Sequence, residues 1–259
     1  MIRGLYSSAW SMLANNKKMD VITNNIANAS TTGYKKYTVV LESFPALMTK
    51  RLSYNKVSDT SGNTIGTMEH SSDVGEVFTY FNQGQLIQTN NKLDMAIKDS
   101  PTTFFAIGVL EPNGDIREMY TRDGSFKINA NGMLVTSEGY PVLGENGFIM
   151  LESDDFMVES DGTIVQNGDR VARLLLRTFS DTLVLRKTGS GLFETEGEFE
   201  LVDFNGSIVQ GSLEQSNVNI VREMVDMISV MRVYEANQKA IQTQDSTLEK
   251  TVNEIGLVR

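Results

Sequence analysis

The placement of glycine and proline constrains this chain more than any other feature. Of 21 glycines in 259 residues, none falls between Leu5 and Thr32 or between Ser212 and Ile255, and the 4 prolines all lie from Pro45 to Pro141. Glycine loosens a helix and proline breaks one, so the two ends are free to be long helices and the middle is not. The middle carries the opposite signal: Asn113-Gly114, Asp123-Gly124, Asn131-Gly132, Asn146-Gly147, Asp161-Gly162, Asn167-Gly168 and Asn205-Gly206 recur at short intervals. Such dipeptides supply the positive φ values of tight hairpins. Between them lie short β-prone runs, from Phe104 to Leu110, Arg117 to Thr121, Ser125 to Ile128, Met133 to Thr136 and Arg173 to Thr178. The pattern predicts an α+β chain in which long, paired, coiled-coil-like N- and C-terminal helices flank an all-β, hairpin-rich body. Divided this way, residues 1–36 hold the N-terminal helix, 37–83 a linker, 84–211 the β body and 212–259 the C-terminal helix.

Both ends show helical periodicity. Ile2, Leu5, Ala9, Met12, Met19 and Ile26 follow steps built from three and four, interrupted by Asn16 and Thr23. At the other end Met224, Met231, Gln238, Asp245 and Val252 occupy one heptad position, and Met227, Tyr234, Ile241, Leu248 and Ile255 a second. Asn28 and Gly33 are placed to close the first helix. Ser216, Asn217 and Asn219 are candidate N-caps of the second, and Ser212 with Gln215 forms a candidate capping box. Neither helix can bury its stripe alone. The partner is either the other terminal helix of the same chain or a helix of a neighbouring subunit, and polar Gln238 and Asp245 on the seam favour the neighbour, since polar seam residues specify register and partner. Asn24, Asn25 and Asn28 require hydrogen-bond partners wherever the seam buries them.

Composition excludes several functions. A net charge of -10 with only 23 basic residues argues against nucleic acid. The absence of cysteine removes disulfides, thiolate metal sites and a cysteine nucleophile. No stretch is apolar enough for a transmembrane span or a cleaved leader. Glu69-His70-Ser71-Ser72-Asp73 holds the residue types of a hydrolase triad, but adjacent residues cannot orient one another in line, and His70 reads as a loop residue. Glu152, Asp154, Asp155, Glu159 and Asp161 lack calcium-loop spacing and read as charged hairpin edges. Gly189-Ser190-Gly191 does not lead from a strand into a helix, which leaves phosphate no cradle. Tyr120, Arg122 and Phe126 form either an exposed aromatic and cationic patch or an ordinary strand pair around Asp123-Gly124. No cofactor, metal or catalytic constellation emerges.

The segment from Asn24 to Lys35, NNIANASTTGYK, resembles the signature of the bacterial flagellar axial proteins of rod and hook. The run from Gly211, GSLEQSNVNIVREMVDMISVMRVYEANQKAIQT, resembles the matching C-terminal end. LDMAI from Leu93, YTRDGSF from Tyr120 and GMLVTSEGYPVLG from Gly132 resemble the body of the basal-body rod proteins. Residues 45 to 80 lie outside the resemblance. It departs at Lys98 to Thr103, where rod proteins usually carry a glycine-rich pair before Phe104-Phe105. It also departs after Leu185, where many distal-rod sequences hold a longer insertion.

The resemblance implies a structural subunit of the flagellar rod, of the distal or the proximal type. Such a subunit is exported by the flagellar type III apparatus without a cleaved leader and assembles with copies of itself, other rod and hook proteins and the rings around the rod. The residues expected to carry assembly are Met12, Met19, Asn24, Asn25, Ile26, Ala27, Asn28, Gly33, Met224, Met231, Tyr234, Ile241, Leu248 and Ile255. Two rival readings remain open from the residues alone. One is an adhesin with a β body on a helical stalk, and the other a cell-wall hydrolase working through Glu152 or Asp155.

Overall fold

The computed structural model describes residues 2–43, 47–50, 64–68, 72–110, 115–189, 191–197 and 199–255. His70 and the Asn113-Gly114 pair fall outside them. Two long helices stand at the ends, α1 (Ile2–Ala27) and α2 (Ile220–Lys250), with strands between them. The chain divides into two compact units: Met1–Ile26, Tyr37–Thr79 and Ile220–Arg259 in the first, Ala27–Lys36 and Tyr80–Asn219 in the second.

In the first unit, α2 begins with Glu223 in its opening turn and ends with Lys250 in its last, signs that complement the helix dipole. Contacts at three levels join α1 to α2. A side chain on Gly4 would meet Gln244, the Asn237 amide donates to Ser11 Oγ at 2.9 Å, and the Asn25 amide donates to Glu223 Oε2 at 3.1 Å. Each advance along α1 is matched by an equal retreat along α2, an antiparallel order. The covered residues of α2 include Glu223, Met227, Val230, Tyr234, Asn237, Ile241, Gln244 and Leu248, whereas Met224, Met231 and Val252 are exposed. Thus one of the two expected heptad series, Tyr234, Ile241 and Leu248, sits on the covered face. The other lies one residue past it, because the covering positions are taken by Glu223, Asn237 and Gln244, polar residues that a hydrophobic pattern passes over. The stretch expected as a linker contains strands: Lys36–Ser43 pairs with Ser72–Tyr80, and Leu47–Lys50 pairs with Thr64–Met68.

The expected capping box of Ser212 and Gln215 does not form. Ser212–Glu214 is a strand on Leu86–Gln88, and the Gln215 amide donates to the Gln85 carbonyl at 2.8 Å. Nor does Asn28 close α1 in a left-handed conformation; the positive φ falls at Gly33, beyond the turn that follows Ala27.

The second unit is built on a six-stranded antiparallel sheet in the order Leu185–Gly189, Leu192–Thr195, Ile116–Thr121, Thr103–Leu110, Leu176–Phe179 and Leu201–Val202. Its central strand, Thr103–Leu110, is a nearly continuous apolar run because both faces are covered. Phe105 and Ile107 enter one core with Met95, Phe126, Leu134 and Ile149. Phe104 enters a second, aromatic core with Phe81, Tyr120, Phe179 and Phe193. Alternate residues of a strand point to opposite faces, which is why neighbours in sequence serve different cores. Rings in the aromatic core meet edge to face, Phe104 on Phe81 at 5.6 Å and Tyr120 on Phe179 at 5.0 Å. A three-stranded sheet (Met157–Val158, Thr163–Gln166, Asp169–Arg173) and short ribbons complete the body.

Glycines 132, 147, 162 and 168 of the expected turns take positive φ. Asp123-Gly124 and Asn205-Gly206 do not. Strand Phe126–Ile128 pairs with Leu134–Thr136 instead of folding back on Ile116–Thr121, and glycine is needed at 124 because a Cβ there would lie 1.6 Å from the Met95 carbonyl oxygen. Tyr120, Arg122 and Phe126, weighed as an exposed patch, are all buried. At the divergent Lys98 to Thr103 stretch, Asp99 adopts φ 63°, a left-handed conformation that aspartate tolerates better than most side chains.

Candidate functional site

The positive φ of Gly33 turns the backbone so that residues 33–35 are all buried in the second unit. A Cβ at Gly33 would lie 2.4 Å from the Asp123 amide nitrogen, so nothing larger fits against that strand end. The Gly33 amide donates to the Glu214 carbonyl at 2.8 Å, and Thr32 Oγ1 donates to Asp123 Oδ1 at 2.7 Å. Lys35 then reaches inward: its ammonium donates to Glu214 Oε1 at 2.6 Å and to the Asn82 carbonyl at 2.9 Å.

Glu214 sits at the centre of this junction. In Ser212–Glu214 the alternation turns Ser212 and Glu214 inward and leaves Leu213 half-covered, the reverse of what hydrophobicity suggests. Glu214 Oε1 also accepts the Gly84 amide at 2.7 Å, and Arg122 Nε lies 3.1 Å from Oε2. The guanidinium donates through Nη1 to the Thr103 carbonyl at 2.7 Å and lies over the Phe104 ring. Asn217 completes the junction, accepting the Lys36 amide at 2.7 Å and donating to the Tyr80 and Asn82 carbonyls. Three passes of the chain, 32–36, 80–84 and 212–217, are therefore held together by two side chains of the third.

Lys35, Arg122 and Glu214 are each about 2% exposed. Two cations facing one carboxylate leave a net positive charge out of water, and burial of charge is unfavourable unless it is hydrogen-bonded. Burial pushes the Lys35 ammonium down to about 8, with the Arg122 charge acting in the same direction and Glu214 opposing it. Burial also lowers Arg122, again opposed by Glu214.

In the first unit Asn25 is fully buried. Its amide donates to the Tyr37 carbonyl at 2.8 Å and accepts the Tyr37 amide at 3.0 Å, standing in for a neighbouring strand, while also reaching Glu223. Asn24 and Ala27 are exposed; Asn28 is half-buried and its carbonyl accepts the Thr31 amide. Met12, Met19 and Ile26 flank the covered face of α1 and are half-buried. The side chain of Ile255 lies outside the described residues. A second apolar line runs along the opening of α2: Val221, Met224, Val225 and Ile228 are all exposed, Val221 by 72%, at spacings that place them on one face.

The carboxylates considered for catalysis do not converge on a cleft. Glu152 and Asp155 are exposed, and the Lys92 ammonium, hydrogen-bonded to Asp155 at 2.6 Å, holds that carboxyl below its usual range. Asp161 caps its own turn by accepting the Thr163 amide. Among the described residues no cluster has the composition of a metal site, and no helix is long and apolar enough to cross a membrane.

Comparison with known proteins places these features in a family. Residues 5–35 match the flagella basal body rod protein family, 102–172 the D1 domain of the flagellar hook protein FlgE/F/G family, and 209–254 the C-terminal region of the flagellar basal body rod FlgEFG proteins. The flagellar basal-body rod protein FlgG of Buchnera aphidicola subsp. Schizaphis graminum is 34% identical over 96% of this chain and 98% of its own length. The rod protein FlgF of Rhizobium meliloti is 31% identical over 99% of both chains. The hook-basal body complex protein FlhO of Bacillus subtilis is 29% identical over the full length of both. The chain belongs to the flagellar basal-body rod proteins, structural components of the flagellar basal body that associate with other rod and hook components.

Sequence patterns missed the junction. Lys35 and Glu214 lie 179 residues apart, and each reads alone as an ordinary surface charge. The available signal was the glycine at 33, which requires a close backbone approach just before a lysine.

Two outcomes follow from this geometry. Replacing Asn25 with leucine strips Tyr37 of its side-chain partner and costs about 1–3 kcal/mol locally; amide exchange at Tyr37 accelerates while Phe105 and Ile107 in the body are unchanged. For Lys35, the folded value near 8 lies below the ordinary 10.5. Between those values the unfolded chain holds a proton that the folded chain has released, so this group's contribution to stability rises with pH across the window and is flat below it. The urea midpoint of the protein minus that of Lys35→Met therefore increases from pH 8 towards pH 10.

Proposed function

We propose that this chain is a non-enzymatic subunit of the rod that self-assembles through its terminal helices into the axial tube transmitting torque to the hook. The observation that carries the reading is α2. Its covered face meets α1 through Ser11, Asn25 and Gly4, yet Val221, Met224, Val225 and Ile228 leave a second apolar line in water. A helix with one face occupied and another apolar face open suits packing in two directions: a coiled-coil-like pairing within the chain and a contact with a neighbour's helices. Met12, Met19 and Ile26 at the flank of α1, and Met231 beyond the open line of α2, extend the same contact.

The proposal includes export by the flagellar type III apparatus and contacts with rod, hook and ring proteins. The division of labour is a β body with helical arms, and neither a cofactor nor a catalytic group is required for it. The adhesin and hydrolase readings have no observation in their favour: Glu152 and Asp155 are solvated, and Asp155 is ion-paired.

The test is a strain lacking the chain, complemented with the natural protein or with Met224→Glu. Loss of motility on deletion and its return with the natural protein are expected. Met224→Glu changes an exposed position, so the purified variant should keep its stability within about 0.5 kcal/mol while failing to restore motility. Full motility with Met224→Glu would remove this face from the assembly.

A further inference from the structure

We infer that Glu214 is a positioning residue for assembly: with Lys35 and Arg122 it is a latch that holds the segment 28–36 on the β body. The inference rests on the rod-subunit reading and adds a part to it that lies away from the helices.

Three observations carry it. First, the contacts converge. One carboxylate accepts from Lys35 and the Gly84 amide and is ion-paired with Arg122, and the same residue's carbonyl accepts from Gly33. The segments it joins are the one that follows α1 in sequence, the one that opens the body, and the one that precedes α2. Second, the site is more charged than stability requires. A buried ion pair seldom outperforms apolar side chains of equal volume, so retaining three buried charges points to a demand for one geometry rather than for stability alone. Third, the steric fit admits no substitute. Gly33 is pressed against Arg122 and Asp123, and a Cβ at Gly84 would lie 1.9 Å from the Gln215 carbonyl oxygen. The segment therefore seats in one register or not at all, and Lys35 meets Glu214 only in that register.

The charged groups facing the latch are few. Lys35 and Glu214 face each other, Arg122 approaches from the end of Ile116–Thr121, Asp123 holds Thr32, and Lys187 lies 4.3 Å from the Tyr34 ring centroid. Among the described residues, only Glu214 is hydrogen-bonded or ion-paired to both cations. Removing its charge leaves Lys35 on the Asn82 carbonyl and Arg122 buried without a counter-charge, whereas removing Lys35 leaves the Arg122–Glu214 pair intact and loosens the segment alone.

The experiment uses the full-length chain with Glu214→Gln and, in case that variant does not fold, Lys35→Met. Amide exchange is read residue by residue, and motility is read in the deletion strain. The latch predicts exchange at least about tenfold faster in residues 31–36, with Glu214→Gln also at Gly84, unchanged exchange in Thr103–Leu110, and loss of motility. A merely stabilising role would instead accelerate exchange across the whole body together. That uniform change, no change at Gly33 and Gly84, or local loosening with full motility would each overturn the inference. If the deletion strain itself swims, the rod reading fails, a result distinct from failure of the latch.

Discussion

A carboxylate buried between two cations is the constraint around which the second unit is organised. Glu214 is buried, so its favourable interactions come from protein groups, and those groups lie on distant parts of the chain. Satisfying it brings residues 32–36, 80–84 and 212–217 together. The consequence for domain organisation is direct: residues 27–36, though continuous with α1, belong to the body. The family signature thus spans a helix end that answers to one unit and a turn that answers to the other.

The two units are stabilised differently. The body has two contiguous apolar cores separated by the sheet, with Phe104 and Phe105 supplying one each, and its short edge strand Leu201–Val202 and bulged edge strand Leu185–Gly189 offer little to an incoming strand. The helical unit relies on a narrower seam in which Ala14, Ile22 and Val230 are the buried apolar residues and Asn25 and Glu223 the buried polar ones. A seam mixing small and polar side chains buries less apolar area and specifies register more sharply.

Much of the architecture was legible in the chain because it rests on local rules. Glycine-free ends marked both helices, and Asn-Gly or Asp-Gly pairs marked the turns at 131, 146, 161 and 167. What escaped depends on tertiary context. Gly124 and Gly206 resemble turn residues, yet they serve close backbone approach. Arg122 looked like a surface cation because its counter-charge lies 92 residues downstream. One of the two heptad series expected on α2 was offset by one residue from the covered face because Asn237 and Gln244 occupy it, and no hydrophobic count weights an amide that is buried by a partner. Within the candidate site, Asn25 was singled out as an amide in need of partners, and the structure supplies them from Tyr37 and Glu223 of the same chain.

The apolar face at the start of α2 is proposed to be open in the single chain and covered in the rod. Because the sequence contains no cysteine, Val225→Cys would carry the sole thiol, on a residue that is 61% exposed. The measurement is its rate of maleimide labelling in the purified protein and in isolated basal bodies. Rapid labelling of the free chain and strong protection after assembly is the predicted result. Equal rates in the two states would contradict the account, since the helix face assigned to the neighbouring subunit would then still be facing water.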